Sequence, residues 1–253
     1  MKLLSNNLSN LTNEIVELVN EFNLAKNSGK KTSYLNLLAD KLQIANLKIY
    51  NQKNPFIDRR HRISEFEQTK WIRLRNYTSC NKNIKLFDSA FGSGRDLLIA
   101  AEQGYDVYGC ELSQYFYNDF MQNTDIDSFK IACSDIRCIP FPTSYFDVIR
   151  HNASFLHMPL IDRGYTIHRA LEESYRLLKE QGVLYIYTKE GSGFQAIDTD
   201  DGLGARSFQL FDENLIVNVL NECGFETLEI NHFVRPRNNS VISWIEVFAK
   251  KHH

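Results

Sequence analysis

Apolar residues recur at helical spacing at Leu8, Leu11, Ile15, Leu18, Val19 and Phe22, and again at Tyr34, Leu37, Leu38, Leu42, Ala45 and Ile49. A polar break from Asn27 to Lys31 divides the two runs, so the pattern predicts two amphipathic helices. A connection containing Pro55 follows, and Phe66, Trp71 and Ile72 mark a third helix. These elements form a helical addition over residues 1–83. From Ile84 the period changes, and β-prone runs predict strands at 84–88, 105–110, 128–133, 146–151, 183–188, 225–233 and 241–249. Helices are predicted between them near 94–103, 113–123, 163–179 and 212–223, the last stopped by Gly224. Such alternation predicts an α/β fold over 84–251: a doubly wound, seven-stranded sheet, mostly parallel, with helices on both faces. The short loop from Arg235 to Ser240 makes the last two strands an antiparallel hairpin.

Candidate chemistry concentrates in residues 84–113, which read as strand, glycine turn, helix, strand and acid. Asp88 ends the first strand, Gly92 and Gly94 let the backbone turn into a helix, and Glu111 ends the second strand. An acid about 20 residues beyond such a turn is placed to accept ribose hydroxyls. Leu97 stands where a dinucleotide site has its third glycine, which counts against NAD and FAD. No Lys-Ser or Lys-Thr pair follows the glycines, so a phosphate loop is excluded too. An acid just before the turn repels a pyrophosphate and suits an ammonium group.

On Asp88, Gly92, Gly94 and Glu111 the chain resembles the class I methyltransferases that use S-adenosylmethionine (SAM). Ala90 departs from the usual first glycine. The resemblance implies a Rossmann-like fold and a SAM pocket formed by Asp88, Ala90, Phe91, Gly92, Gly94, Glu111 and Leu112. It also implies adenine contacts from Asp135 and Ile136, and a place for Asn152 near the donor. The run Ala153, Ser154, Phe155, Leu156, His157 resembles an ASLLH-like segment of a subset of these enzymes. Lys189, Glu190, Gly191 and Gly193, with Arg206 and Phe208 further on, resemble its KEGEG-like run. The same subset usually carries an aromatic in place of Arg150 and a small residue in place of His151.

Arg150, His151 and His157 are the catalytic candidates, because carboxyl ends of parallel strands line the ligand crevice. His157 can act as a general base or only anchor a loop by hydrogen bonds. Lys189, Arg206 and Arg235 are candidate substrate contacts, with a solvated charged loop as the other reading of the first two. The long segment between the fifth strand and the next helix is expected to be a lid loop.

Composition narrows the classes. At 253 residues and 43% hydrophobic content the chain can bury one sizeable α/β core, but not two catalytic domains. Lys+Arg 29 against Asp+Glu 31 gives a net charge of -2, with no global attraction for nucleic acid or an anionic membrane. A local basic cluster, Arg59, Arg60, His61 and Arg62 with Lys70, Arg73 and Arg75 and the aromatics Tyr50, Trp71 and Tyr77, reads as a nucleic-acid surface or as a solvated helix face, the latter because Asp58, Glu65 and Glu67 dilute its charge. Cys80, Cys110, Cys133, Cys138 and Cys223 show no CxxC spacing, so reduced core thiols and no metal are expected. The opening MKLL is too short for a signal peptide and no run is long enough to span a bilayer, which predicts a cytoplasmic protein. His252 and His253 resemble the start of an affinity tag and are left out of metal and catalytic reasoning.

Together these features predict a SAM-dependent methyltransferase acting on oxygen or nitrogen of a small molecule or short peptide, with a carboxylate favoured. RNA (tRNA) methylation and an inactive SAM-binding partner protein are the alternatives. The helical addition is expected to cap the crevice, bind substrate or form a dimer face in a monomeric or homodimeric protein.

Overall fold

The computed structural model describes residues 2–52, 57, 60, 65–78, 83–161, 165–198, 201–236 and 241–251. Pro55, Asp58, Arg59, His61, Arg62, Cys80, the tip of the last hairpin, His252 and His253 lie outside the described residues.

Three helices come first: α1 (Lys2–Asn27), α2 (Thr32–Tyr50) and α3 (Glu65–Arg75). The core follows as β1 (Lys85–Ser89), α4 (Arg95–Glu102), β2 (Asp106–Glu111), α5 (Gln114–Gln122), β3 (Ile131–Cys133), β4 (Phe146–Asn152), α6 (Thr166–Leu177) and β5 (Leu178–Lys189). It closes with β6 (Phe194–Asp198), β7 (Ala205–Gln209), α7 (Glu213–Glu222), β8 (Phe225–Pro236) and β9 (Val241–Lys251). The main sheet has the order β3-β2-β1-β4-β5-β9-β8. Strands β1 to β5 run parallel, and β9 is antiparallel to both β5 and β8. This is the doubly wound, Rossmann-like sheet with a C-terminal hairpin.

Apolar burial on both faces explains why these strands read as continuous hydrophobic runs. One face packs Phe87, Ile149 and Leu184 against Ile167 and Leu171 of α6 and Ile216 and Leu220 of α7. The other packs Leu86, Val148 and Tyr185 against Trp71 and Leu74 of α3 and Leu97 of α4. Each fully buried Leu or Ile contributes about 1.5–3 kcal/mol relative to exposure.

Two expectations need correction. The predicted strand 128–133 begins as a 3-10 turn, Ser128–Lys130, so only Ile131–Cys133 pair with β2. The predicted lid loop instead contains the antiparallel pair β6–β7, registered from Phe194 opposite Gln209 to Asp198 opposite Ala205. Alternation is hidden there because every residue of β7 is buried. The pair lies under the N-terminal helices: Ile15, Val19 and Phe22 of α1 and Leu38, Leu42 and Ile49 of α2 share one apolar cluster with Ile161, Phe194 and Leu203. Phe22 and Phe194 meet edge to face with ring centres 5.3 Å apart. Packing therefore crosses residue 83 without a break.

Candidate active site

The turn after β1 is built on left-handed backbone at Ala90 (φ 57°), Gly92 (φ 58°) and Gly94 (φ 79°). Gly94 allows a close approach, since an added Cβ would fall 2.1 Å from the Phe120 ring. Gly109 on β2 does the same beneath the turn, where a Cβ would lie 2.9 Å from Phe91 and 3.1 Å from Leu97. Leu97 thus fills the helix-to-strand contact that a third glycine makes in dinucleotide sites. Glu111 braces the turn from β2, its carboxylate accepting the Gly92 N–H at 2.8 Å and the Ser113 N–H at 2.7 Å. Burial raises its pKa, and those backbone donors oppose the rise.

Above the carboxyl ends of β1, β2, β4 and β5 opens a cavity of about 390 Å³. Its wall includes Ala90, Phe91, Gly92, Glu111, Leu112, Asp135, Ile136 and Asn152 of the predicted donor residues, and His157, Lys189 and Arg206 of the others. Its ceiling is α2, which contributes Gln43, Asn46, Leu47 and Tyr50. One stripe of that helix reaches several separate parts of the core. Gln43 Nε2 donates to Asp135 at 2.7 Å, Asn46 Nδ2 to Ser207 Oγ at 2.6 Å, and Asn51, the residue just after the helix, accepts from Ser113 Oγ at 2.7 Å. His157 Nδ1 donates to the Ser207 carbonyl at 2.8 Å, which leaves Nε2 to accept the Tyr50 hydroxyl proton at 2.8 Å. Burial, reinforced by Arg206, lowers the His157 pKa to about 3, so the ring is neutral near pH 7.

Charge is divided along the cavity. Glu111, Asp135 and Asp96 stand towards the glycine turn. At the other end Lys189 and Arg206 are 4% and 2% exposed, and Asp201 pairs with Arg206 at 2.5 Å. Lys189 Nζ lies 4.8 Å from the Phe208 ring centre and 4.9 Å from that of Trp244.

Residues 87–186 match the family described as a methyltransferase domain. Those residues read as a methyltransferase domain, in a fold shared with class I SAM-dependent methyltransferases. No curated protein sequence matches it. Among solved structures, a SAM-dependent methyltransferase of Methanosarcina mazei is similar at 18% identity and a TM-score of 0.61, over 71% of this chain and 97% of that one. A second, from Clostridium acetobutylicum, gives 15% identity and 0.57 over 78% and 97%. The cyclase SpnF shares the fold at 18% identity and 0.54, over 76% and 83%, so the architecture by itself does not name a reaction.

The cofactor of a methyltransferase domain of this class is SAM, and the donor end of the cavity fits it. An adenosine with ribose hydroxyls and an amino acid tail would find three carboxylates there, and Arg95 beside Asp96 at the start of α4 would offer both charges that an amino acid needs.

Several predicted residues lie elsewhere in the methyltransferase domain. Alternation along β4 is the reason: Arg150 turns under α3 and His151 under α6, and only Asn152 at the strand end reaches the cavity. Arg150 pairs with Asp88 at 3.4 Å and Asp96 at 3.3 Å, between the rings of Trp71 and Tyr185 at 4.3 and 5.0 Å. Burial pushes the Asp88 carboxyl up to about 7, with Arg150 pulling against it. Asp88 therefore faces Arg150 behind the turn instead of the cavity. His151 bonds to Ser154 at 3.1 Å and Ser174 at 2.8 Å, and burial holds its pKa at about 3. Arg235 lies beside Tyr187 on the edge strand β8, and Gly94 is covered by Phe120. Of the basic cluster, Arg60 is buried against the Ser93 carbonyl and Asp119, so it is not part of a solvated face.

The sequence reading missed Gln43, Asn46, Asp96, Asp201 and Trp244, and placed Tyr50 in the basic cluster instead of the site. Gln43, Asn46 and Tyr50 do carry a signal, lying at i, i+3 and i+7 along one edge of an apolar helix face. Among the described residues no group of His, Cys, Asp and Glu is arranged to hold a metal, and no helix is long and apolar enough to cross a membrane.

Proposed function

We propose that the protein transfers a methyl group from SAM to an oxygen or nitrogen of a small anionic molecule, a carboxylate above all, beneath the ceiling formed by α2. The observation that carries this reading is the division of charge along one cavity. Glu111, Asp96 and Asp135 outnumber Arg95 on the side of the glycine turn, and buried Lys189 and Arg206 outnumber Asp201 on the other. His157 is neutral there, and the buried Lys189 and Arg206 beside Asp201 give that end cationic donors suited to an acceptor anion.

In this reading Glu111 faces the ribose, Asp135 and Ile136 the adenine, and Arg95, Asp96 and Asn152 the amino acid end. The bound sulfonium supplies a methyl group already activated for in-line displacement. The chain's own task is placement, and holding two reactants in near-attack geometry contributes about 7–11 kcal/mol. Lys189 orients the acceptor by charge, with Phe208 and Trp244 fixing the ammonium. A carboxylate is already ionised at neutral pH, so no residue has to remove a proton. His157 then serves the ceiling, holding Tyr50 on one nitrogen and the Ser207 carbonyl on the other. A volume of 390 Å³ lies towards the small end of ligand sites and favours a compact acceptor, or the end of a short peptide, over RNA.

The test is incubation of an anionic metabolite fraction with protein and methyl-labelled SAM. Label in an alkali-labile product that no longer binds an anion exchanger supports an ester product. Absence of SAM binding in calorimetry at millimolar donor overturns the reading, as does label found only in RNA. Binding without transfer to any fraction makes the chain a SAM-binding partner protein.

A further inference from the structure

All four lone-pair positions of the Asp135 carboxylate are taken. Oδ1 accepts the Arg137 backbone N–H at 2.8 Å and Arg137 Nε at 3.1 Å. Oδ2 accepts Arg137 Nη2 at 2.8 Å and Gln43 Nε2 at 2.7 Å. A nucleobase amino group directed at Asp135 must therefore replace one of these donors. The four are unequal. Three belong to Arg137, which grips the carboxylate through its own turn and a two-pronged, charge-assisted contact. Its guanidinium is further held near Asp40 at 3.7 Å and over the Tyr165 ring at 5.5 Å. The fourth is a neutral amide on a different element, and it lines the cavity.

We propose that Gln43 competes with the nucleobase of the donor and holds its affinity down: its amide occupies Oδ2 of Asp135, and an exocyclic amino group takes that place. The inference rests on the reading that the cavity binds SAM with its adenine at Asp135. Displacement does not require α2 to leave. Gln43 Oε1 accepts Arg137 Nη2 at 2.7 Å, and this second contact lets the amide pivot while Asn46 and Tyr50 keep their partners. A base that presents a carbonyl in place of the amino group cannot donate to Asp135, and it leaves the Gln43 contact intact. Gln43 thereby makes displacement by an amino donor the condition for occupying Asp135.

Calorimetry of S-adenosylhomocysteine and of its 6-oxopurine counterpart, with wild type and with Gln43→Ala and Gln43→Leu, tests this. Removing the competitor is expected to tighten the adenosyl ligand roughly tenfold, the low end of the weight of one hydrogen bond to a charged acceptor. The 6-oxo ligand should gain nothing in either variant, which separates competition from a general change in the cavity. Unchanged or weakened adenosyl binding in both variants overturns the proposal while leaving the SAM reading in place. An equal gain for both ligands also overturns it. Failure of the wild type to bind the adenosyl ligand overturns both.

Discussion

Tyr50, the last residue of α2, donates its hydroxyl proton to His157 Nε2 across 2.8 Å, and the two rings meet edge to face with centres 5.4 Å apart. Arg206 Nη1 approaches the same hydroxyl at 3.4 Å. A helix from the N-terminal addition is thus joined to the loop after β4 and to β7 through one neutral imidazole.

That neutrality, shared by His151, has a pH signature. Both rings remain unprotonated in the folded chain down to about pH 3, whereas in the unfolded chain they titrate near 6.5. Stability from these two groups is complete above about pH 6.5 and is lost progressively as pH falls towards 3, because unfolding then takes up protons. Urea titrations between those limits should show the slope shrinking by about one proton in His157→Gln, and again in His151→Asn.

Arg150 is expected to act on stability. Arg150→Met leaves Asp88 and Asp96 buried beside each other without their shared cation, and about 3–5 kcal/mol should be lost. Chemical unfolding measures it. A variant of wild-type stability with slowed methyl transfer would instead return Arg150 to the chemistry.

Backbone geometry at the glycine turn predicts opposite outcomes for two small changes. Ala90→Gly relieves a left-handed alanine and should stabilise by about 0.5–1 kcal/mol after the entropy of glycine is counted. Gly94→Ala drives a methyl group into the Phe120 ring at φ 79° and should cost about 2 kcal/mol or more, with loss of donor binding. Thermal unfolding with and without S-adenosylhomocysteine reads both.

Lys189→Met should lower kcat/KM for an anionic acceptor roughly tenfold to a hundredfold, the weight of a buried charge-assisted contact, while the donor Kd stays within twofold. Steady-state kinetics paired with calorimetry distinguishes this from a general collapse of the cavity.

The sheet was legible because its strands are buried on both faces and their hydrophobic runs are bounded by turns. Asp88, Gly92, Gly94 and Glu111 were equally legible as a motif, and Leu97 marked the exclusion of dinucleotides. Where Asp88 points was not, because its orientation depends on Arg150, a residue 62 positions away that β4 brings alongside β1. The same limit hid the roles within 150–152, where strand alternation sends neighbouring side chains to different layers. The ceiling escaped for another reason. Asn46 is buried, and polar residues on an amphipathic helix ordinarily read as its solvent side, so only tertiary contact separates a ceiling from a surface.

The same helix overhangs the acids at one end of the cavity and the cations at the other, through Gln43 and Tyr50 seven positions apart. Ligands at the two ends would then bear on one and the same helix, even where neither requires α2 to leave. Turnover is expected to keep time with that helix, and substitutions at its rear, where Leu38 and Leu42 grip α1, should alter product release without touching either ligand.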